Sequence, residues 1–138
     1  MFDYPAKFQK AKGGHVVSFR DIPEALTSGA TKKEAMEMAE DALATAMEFY
    51  FEDRRQVPMP SKARKGEEVV ELSASIAVKV LLLNEMLKEN VTPSKLAKRL
   101  DTSPQAVTRI VDLHHATKID TLAEAFRAIG KTLTFSVA

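Results

Sequence analysis

The sequence predicts an α+β chain in two parts, a small strand-and-helix domain over residues 1–72 and a mainly helical domain over 73–138. Three observations carry this. Short period-two segments and one long amphipathic helix fill the first part, whereas from Ser73 onward the pattern is helical and punctuated by caps. Charge divides at the same place: Lys and Arg against Asp and Glu number 11 against 13 in residues 1–72 and 9 against 6 in residues 73–138. The second part is therefore the better candidate for a polyanionic partner. A length of 138 residues allows one ordinary domain or two small ones, and 45% hydrophobic with 28% charged residues fits a globular chain.

Tyr4 to Gln9 and His15 to Phe19 read as two strands joined by a turn at Gly13-Gly14, with Val17 and Phe19 on one face. Ile22 to Gly29 is too broken for a helix and has room for a brief third strand. Thr31-Lys32-Lys33-Glu34 has capping-box spacing, in which the Thr and Glu side chains each satisfy a backbone donor of the first turn. Ala35, Met36, Ala39, Ala42, Leu43, Ala46, Met47 and Tyr50 then form one apolar stripe, so a helix runs from Thr31 to near Asp53. Two prolines and a basic run make residues 57–66 a loop, and Glu68 to Leu72 reads as a fourth strand.

In the second part, Ile76, Val80, Leu83 and Leu87 mark a helix with Ser73 or Ser75 available as a cap. Thr92-Pro93 and Ser103-Pro104 each set a hydroxyl N-cap before a proline at the first helical position. They predict two short helices, about 93–100 and 104–112. Thr121-Leu122-Ala123-Glu124, again with capping-box spacing, starts another helix that stops at Gly130. The last residues alternate, with Thr132, Thr134 and Ser136 on one side and Leu133, Phe135 and Val137 on the other. This predicts a terminal strand, whose simplest partner is the same strand of a second copy.

The paired helices carry the chemistry. Counting from Pro93, Leu96 and Ala97 are the fourth and fifth positions, Leu100 the eighth, Val107 the fifteenth and Ile110 the eighteenth. Those are the apolar positions of a helix-turn-helix, and Ala97 supplies the small side chain that a close crossing needs. Asp101 holds the turn position usually taken by glycine in a left-handed backbone, which Asp tolerates better than most residues. Ser103, Gln105, Thr108 and Arg109 then face outward. Gln suits adenine and Arg guanine in bidentate pairs, while Ser and Thr serve base or phosphate. Thr92, Ser94, Lys95 and Lys118 are the candidate phosphate contacts, with Lys98 and Arg99 available beside them. The competing reading is a helical hairpin that only packs.

Other constellations are weaker. His114-His115 are adjacent, so on a helix they point about 100° apart and make poor co-ligands. A helix C-terminal pair near phosphate or solvent is the preferred reading. Asp3, Asp21 and Glu24 suggest a metal-dependent nuclease only if a third ligand joins them, and acidic residues at strand ends are ordinarily solvated. Phe49-Tyr50-Phe51 could form a recognition surface, although core packing suits at least two of them. No catalytic residue, cofactor or metal site is therefore assigned. With no cysteine there are no disulfides and no thiolate ligands. The start of the chain lacks a signal-peptide pattern and Val80 to Leu83 is too short to span a bilayer, so a cytoplasmic location is expected.

Several segments resemble a known family. Val17-Ser18-Phe19, Asp21 to Gly29, Asp41-Ala42-Leu43 and Glu48-Phe49-Tyr50-Phe51 look like the amino-terminal domain of HicB antitoxins. Val80-Leu81-Leu82-Leu83-Asn84 and Leu113 to Asp120 resemble the branch of that family with a carboxy-terminal helix-turn-helix. The resemblance implies a cut-down ribonuclease-H-like first domain without a working catalytic centre. That domain is implied to bind a HicA toxin, in that family a small ribonuclease with a double-stranded-RNA-binding fold that cleaves messenger RNA. The second domain is implied to dimerise, with a tetramer through the same domains as a further state, and to repress its own operon by binding operator DNA.

Overall fold

The computed structural model describes residues 2–138, which form a four-stranded antiparallel sheet and five helices. They divide into two compact units: residues up to Glu52 with Val57–Ala74, and Asp53–Gln56 with Ser75–Ala138.

In the first unit β1 (Asp3–Ala11), β2 (Gly14–Phe19), β3 (Leu26–Gly29) and β4 (Glu67–Glu71) lie in the order β3-β2-β1-β4. β1 and β2 pair with Ala6 opposite Phe19 and Ala11 opposite Gly14, which leaves a two-residue turn at Lys12-Gly13. Tyr4 pairs with Val70 and Val17 with Thr27. Directly opposed residues share a face, so Tyr4, Ala6, Val17, Phe19 and Val70 form one buried surface.

Helix α1 (Lys32–Asp53) buries Ala35, Ala39, Leu43, Ala46, Met47 and Tyr50. Met36 and Ala42, at the margins of the predicted stripe, are half-buried. The capping box forms with a shift. Thr31 Oγ1 accepts from the Glu34 amide at 3.1 Å, and Glu34 Oε2 accepts from the amide of Ala30, the residue before the cap, at 3.2 Å. α1 sits close to the end of β3, where a Cβ on Gly29 would lie 2.4 Å from the Ala35 nitrogen.

The loop from Val57 to Gly66 is tied down by polar contacts. The Tyr4 hydroxyl donates to the Pro58 carbonyl at 2.7 Å, and burial raises its pKa well above the ordinary phenol value. Arg20 Nε donates to Glu67 Oε2 at 2.9 Å and Nη2 to Glu67 Oε1 at 3.0 Å, while its other donors reach Ser61 and the Lys62 carbonyl.

The second unit contains α2 (Ala74–Lys88), α3 (Pro93–Arg99), α4 (Pro104–Ile110) and α5 (Ile119–Ala128). Leu82, Met86, Val91, Leu96, Ala97, Val107, Ile110, Leu122, Ala125, Phe126 and Ile129 form its core. Three helices end in the same way. After α2, α3 and α5 the amide of the second residue beyond the C-cap bonds back to the third-last helical carbonyl: Val91 to Met86 at 2.8 Å, Thr102 to Ala97 at 3.0 Å, and Lys131 to Phe126 at 2.9 Å. This is the Schellman arrangement, and its left-handed residues are Asn90 (φ 55°), Asp101 (φ 52°) and Gly130 (φ 79°).

Three expectations are corrected. α5 begins at Ile119 with Lys118 as N-cap and no side-chain capping bond, so the Thr121–Glu124 capping box does not open it. α4 ends at Ile110, two residues earlier than expected, with Val111 as C-cap. His114 and His115 therefore lie in the turn after α4 and not at a helix C-terminus. Residues 131–138 form no strand within the single chain. Phe135 is 73% and Val137 100% exposed, because no strand lies beside them to complete a ladder, whereas Leu133 packs against the core.

Candidate nucleic-acid interface

The two caps that the sequence marked form as read. Ser103 (ψ 153°) and Thr92 (ψ 163°) are extended, and their hydroxyls accept from the amides of Ala106 and Lys95, each at 3.2 Å. Each helix then starts on a proline, which has no amide to leave unsatisfied. Leu96, Ala97, Val107 and Ile110 are buried and Leu100 is half-buried, so all five expected clamp positions turn inward. Asp101 takes the left-handed conformation expected of it.

With that face inward, Ser103, Gln105, Thr108 and Arg109 are all exposed. They are not equally available. The Ser103 oxygen is engaged as N-cap, and the Thr108 hydroxyl donates to the Pro104 carbonyl at 3.0 Å, so each keeps only part of its bonding capacity. The side chains of Gln105 and Arg109 are the long, outward-facing groups of α4, and their polar ends are not drawn into its own caps.

Among the candidate phosphate contacts, Ser94 and Lys95 lie exposed on the first turn of α3, whose N-cap is Thr92. Lys95 Nζ donates to the Asn90 carbonyl at 3.2 Å, which holds the ammonium over the start of that helix. Lys118 is brought beside Arg109. Both line an open groove of about 460 Å³ together with Thr102, His115, Thr117 and Glu124.

Sequence reading missed Lys79. It lies on α2, is 3% exposed, and directs its ammonium at three main-chain carbonyls: Arg109 at 3.2 Å, Asp112 at 2.6 Å and His115 at 2.6 Å. Burial lowers its pKa from the ordinary lysine value, and the nearby Asp112 charge acts in the opposite direction. A signal was available. Lys79 lies three residues after Ile76 and four before Leu83, inside the apolar stripe where a charge needs a partner.

The constellations set aside as weak are also placed. Asp21 accepts from the Ser61 amide at 2.8 Å and from the Ser61 hydroxyl, and it lies 3.5 Å from Arg20. Glu24 Oε1 accepts from the Tyr50 hydroxyl at 2.6 Å. Of the aromatic triplet, Tyr50 is buried, Phe51 half-buried and Phe49 exposed. The His114 amide donates to Asp112 Oδ1 at 2.9 Å.

Comparison with known proteins agrees with the segments quoted above. The family model described as HicB-like antitoxin of bacterial toxin–antitoxin systems matches residues 3–81. The chain belongs to this family. It is 57% identical over 130 residues to Antitoxin HicB 2 of Photorhabdus laumondii, an alignment covering 94% of this chain and 92% of that one. It is 49% identical over 132 residues to Antitoxin HicB of Escherichia coli K12, covering 95% and 96%. Antitoxin HicB of Pseudomonas fluorescens is 34% identical over 138 residues, covering 99% and 94%. Membership of an antitoxin family implies a toxin partner. Among the described residues no helix is long and apolar enough to cross a membrane.

Proposed function

We propose that this chain neutralises a HicA-type messenger-RNA-cleaving toxin through residues 1–72 and represses its own operon through residues 73–138, which bind operator DNA as a dimer in the cytoplasm. Family membership supports the first half. The observation that carries the second is the pair Gln105 and Arg109, exposed on a short helix whose opposite side is clamped by Val107 and Ile110.

In this reading α3 and α4 are a helix-turn-helix and α4 enters the major groove. Arg109 takes a guanine edge and Gln105 an adenine edge, with Ser103 and Thr108 in support. Thr92, Ser94, Lys95 and Lys118 set the register on the phosphates. The first unit is read as a cut-down ribonuclease-H-like layer, on the strength of three consecutive antiparallel strands, a helix and a fourth strand beside the first. The exposed Phe135 and Val137, alternating with threonine and serine, supply the segment that pairs with its counterpart in a second copy. Pairing of such dimers would give the tetramer.

The test is growth rescue. The small protein encoded beside this gene is expressed alone, with the full chain, and with residues 1–72. Arrest relieved by the chain, with the two proteins co-purifying, is the expected result. A harmless neighbour, or failure of rescue with both proteins well expressed, overturns the toxin half. The DNA half is tested separately by titrating the chain against a duplex from upstream of its own gene and against a scrambled duplex.

A further inference from the structure

We infer that Lys79 is a positioning residue for DNA recognition, locking the C-terminal end of α4 onto α2 and so fixing the aim of Gln105 and Arg109. The inference rests on the DNA-binding reading above and adds to it the element that sets the geometry of the reading helix. α4 has seven residues, under two turns, too short to hold a conformation or a direction by itself. Val107 and Ile110 seat one side of it in the core. That seating sets which face of the helix turns inward, but it supplies no directional bond at the C-terminal end of so short a helix.

The ammonium of Lys79 supplies the direction. Its three donors meet three carbonyls, those of Arg109, Asp112 and His115. The last carbonyls of a helix have no intrahelical partner and carry the negative end of its dipole, so a buried cation there is matched in both bonding and charge. The first of these carbonyls belongs to Arg109 itself, the residue proposed to read guanine. The same oxygen accepts from the Asp112 amide at 3.2 Å and from Thr117 Oγ1 at 3.5 Å, so the main chain at Arg109 is held from three directions. The His115 carbonyl ties in the loop that carries Lys118 to the groove beside Arg109. One side chain on α2 therefore couples a base-reading residue to a phosphate-contacting one.

The bland alternative is a fold stabiliser with no bearing on recognition, and discrimination between sequences separates the two. The full chain is titrated with a duplex from upstream of its own gene and with the same duplex carrying single base-pair changes, well below the melting temperature. Lys79→Met keeps the length and removes the donors, and Leu83→Ala weakens α2 at a buried position that makes no bond to α4. The expected result is that Lys79→Met lowers affinity for the native duplex by roughly tenfold or more and shrinks its preference over the altered duplexes. Its salt dependence stays as in the parent, because the phosphate contacts remain. Leu83→Ala lowers the melting temperature and leaves preference intact.

Undiminished preference in folded Lys79→Met, or equal loss of preference in Leu83→Ala, overturns the positioning role. If Lys79→Met does not fold, Lys79→Gln, whose shorter and uncharged side chain cannot make all three bonds, should still lose preference, and undiminished preference in it overturns the role as well. A parent chain that binds its own upstream duplex no better than a scrambled one overturns the DNA-binding reading itself and this inference with it. Intact preference in the Met variant overturns the inference alone.

Discussion

Replacing Asp101 by glycine should stabilise the second unit. Asp101 is the left-handed residue of the α3 Schellman turn, with φ 52°. Its amide bonds the Lys98 carbonyl at 3.2 Å, and the next amide bonds the Ala97 carbonyl at 3.0 Å, so the conformation is imposed by the turn and cannot relax without losing both bonds. An L-residue in this region costs roughly 1–2 kcal/mol, less for Asp than for most. Glycine removes that strain but has a freer unfolded chain, which offsets about 0.4–1 kcal/mol. The net gain is at most about 1 kcal/mol, or up to roughly 4–8 °C in melting temperature for a unit of this size. Asp101→Asn, which keeps the shape without the charge, should lie within a few tenths of a kcal/mol (about the size of a neutral surface change) of the parent. Asp101→Ala, with no local compensation, should lose about 1 kcal/mol. Urea melts give the free energies, and amide exchange of α3 and α4 assigns them to this unit. Glycine no better than aspartate, with alanine equally tolerated, would show that the turn stores no strain at this position.

Four further outcomes are expected. Arg109→Ala should lose about 1–3 kcal/mol of binding to the operator and relax sequence preference while the melt is unchanged, and retained preference in a titration would remove Arg109 from base reading. Lys95→Ala should weaken binding uniformly and reduce the salt slope, and an unchanged slope would strike it from the phosphate contacts. Gly29→Ala should cost about 1–3 kcal/mol, because the new Cβ would lie 2.4 Å from the Ala35 nitrogen and both are backbone-bound; a variant melting with the parent would mean that α1 can retreat freely. The Glu67 carboxyl is held below its ordinary pKa of 4.5, first by the Arg20 hydrogen bonds and then by the Arg64 amide. Its folded pKa being the lower one, the contribution is complete above 4.5 and is lost as pH falls from there through the folded value. Glu67→Gln should therefore flatten the acid limb of a urea-midpoint profile, and an unchanged limb would place the acid sensitivity elsewhere.

The features legible in the sequence were those whose physics is local. Thr92-Pro93 and Ser103-Pro104 each contain a cap and the residue that tolerates its backbone, so both helix starts were read to the residue. Three strands of the sheet, β1, β2 and β4, are legible to within two residues at each end, because each buries part of one face in the same chain, whereas β3, with no buried residue, is legible only as a brief strand somewhere in residues 22–29. Where order depends on a distant residue, the reading stopped. The Glu67 pairing with Arg20 spans 47 positions, and neither residue stands out from its neighbours. α5 starts without a side-chain cap, so a tempting Thr-x-x-Glu three residues downstream drew the boundary to itself.

The tail and Lys79 show two ways in which a correct periodicity can be incomplete. Thr132 to Val137 alternates as strictly as β2, yet the single chain forms no strand there. Alternation specifies which face each side chain takes once a ladder exists, and the amides still require a neighbour to bond. Lys79 interrupts a pattern that was otherwise read correctly, since Val80 and Leu83 are buried as expected. A lysine on the buried side of a helix can be tolerated only if its charge and donors are met, and on a helix whose own carbonyls are already bonded the acceptors must come from another element. The end of a short neighbouring helix and the turn after it, whose carbonyls keep a lone pair to spare, are the natural source. A charge misplaced within an apolar stripe thus points to a helix terminus packed against it, and here that terminus is the end of α4.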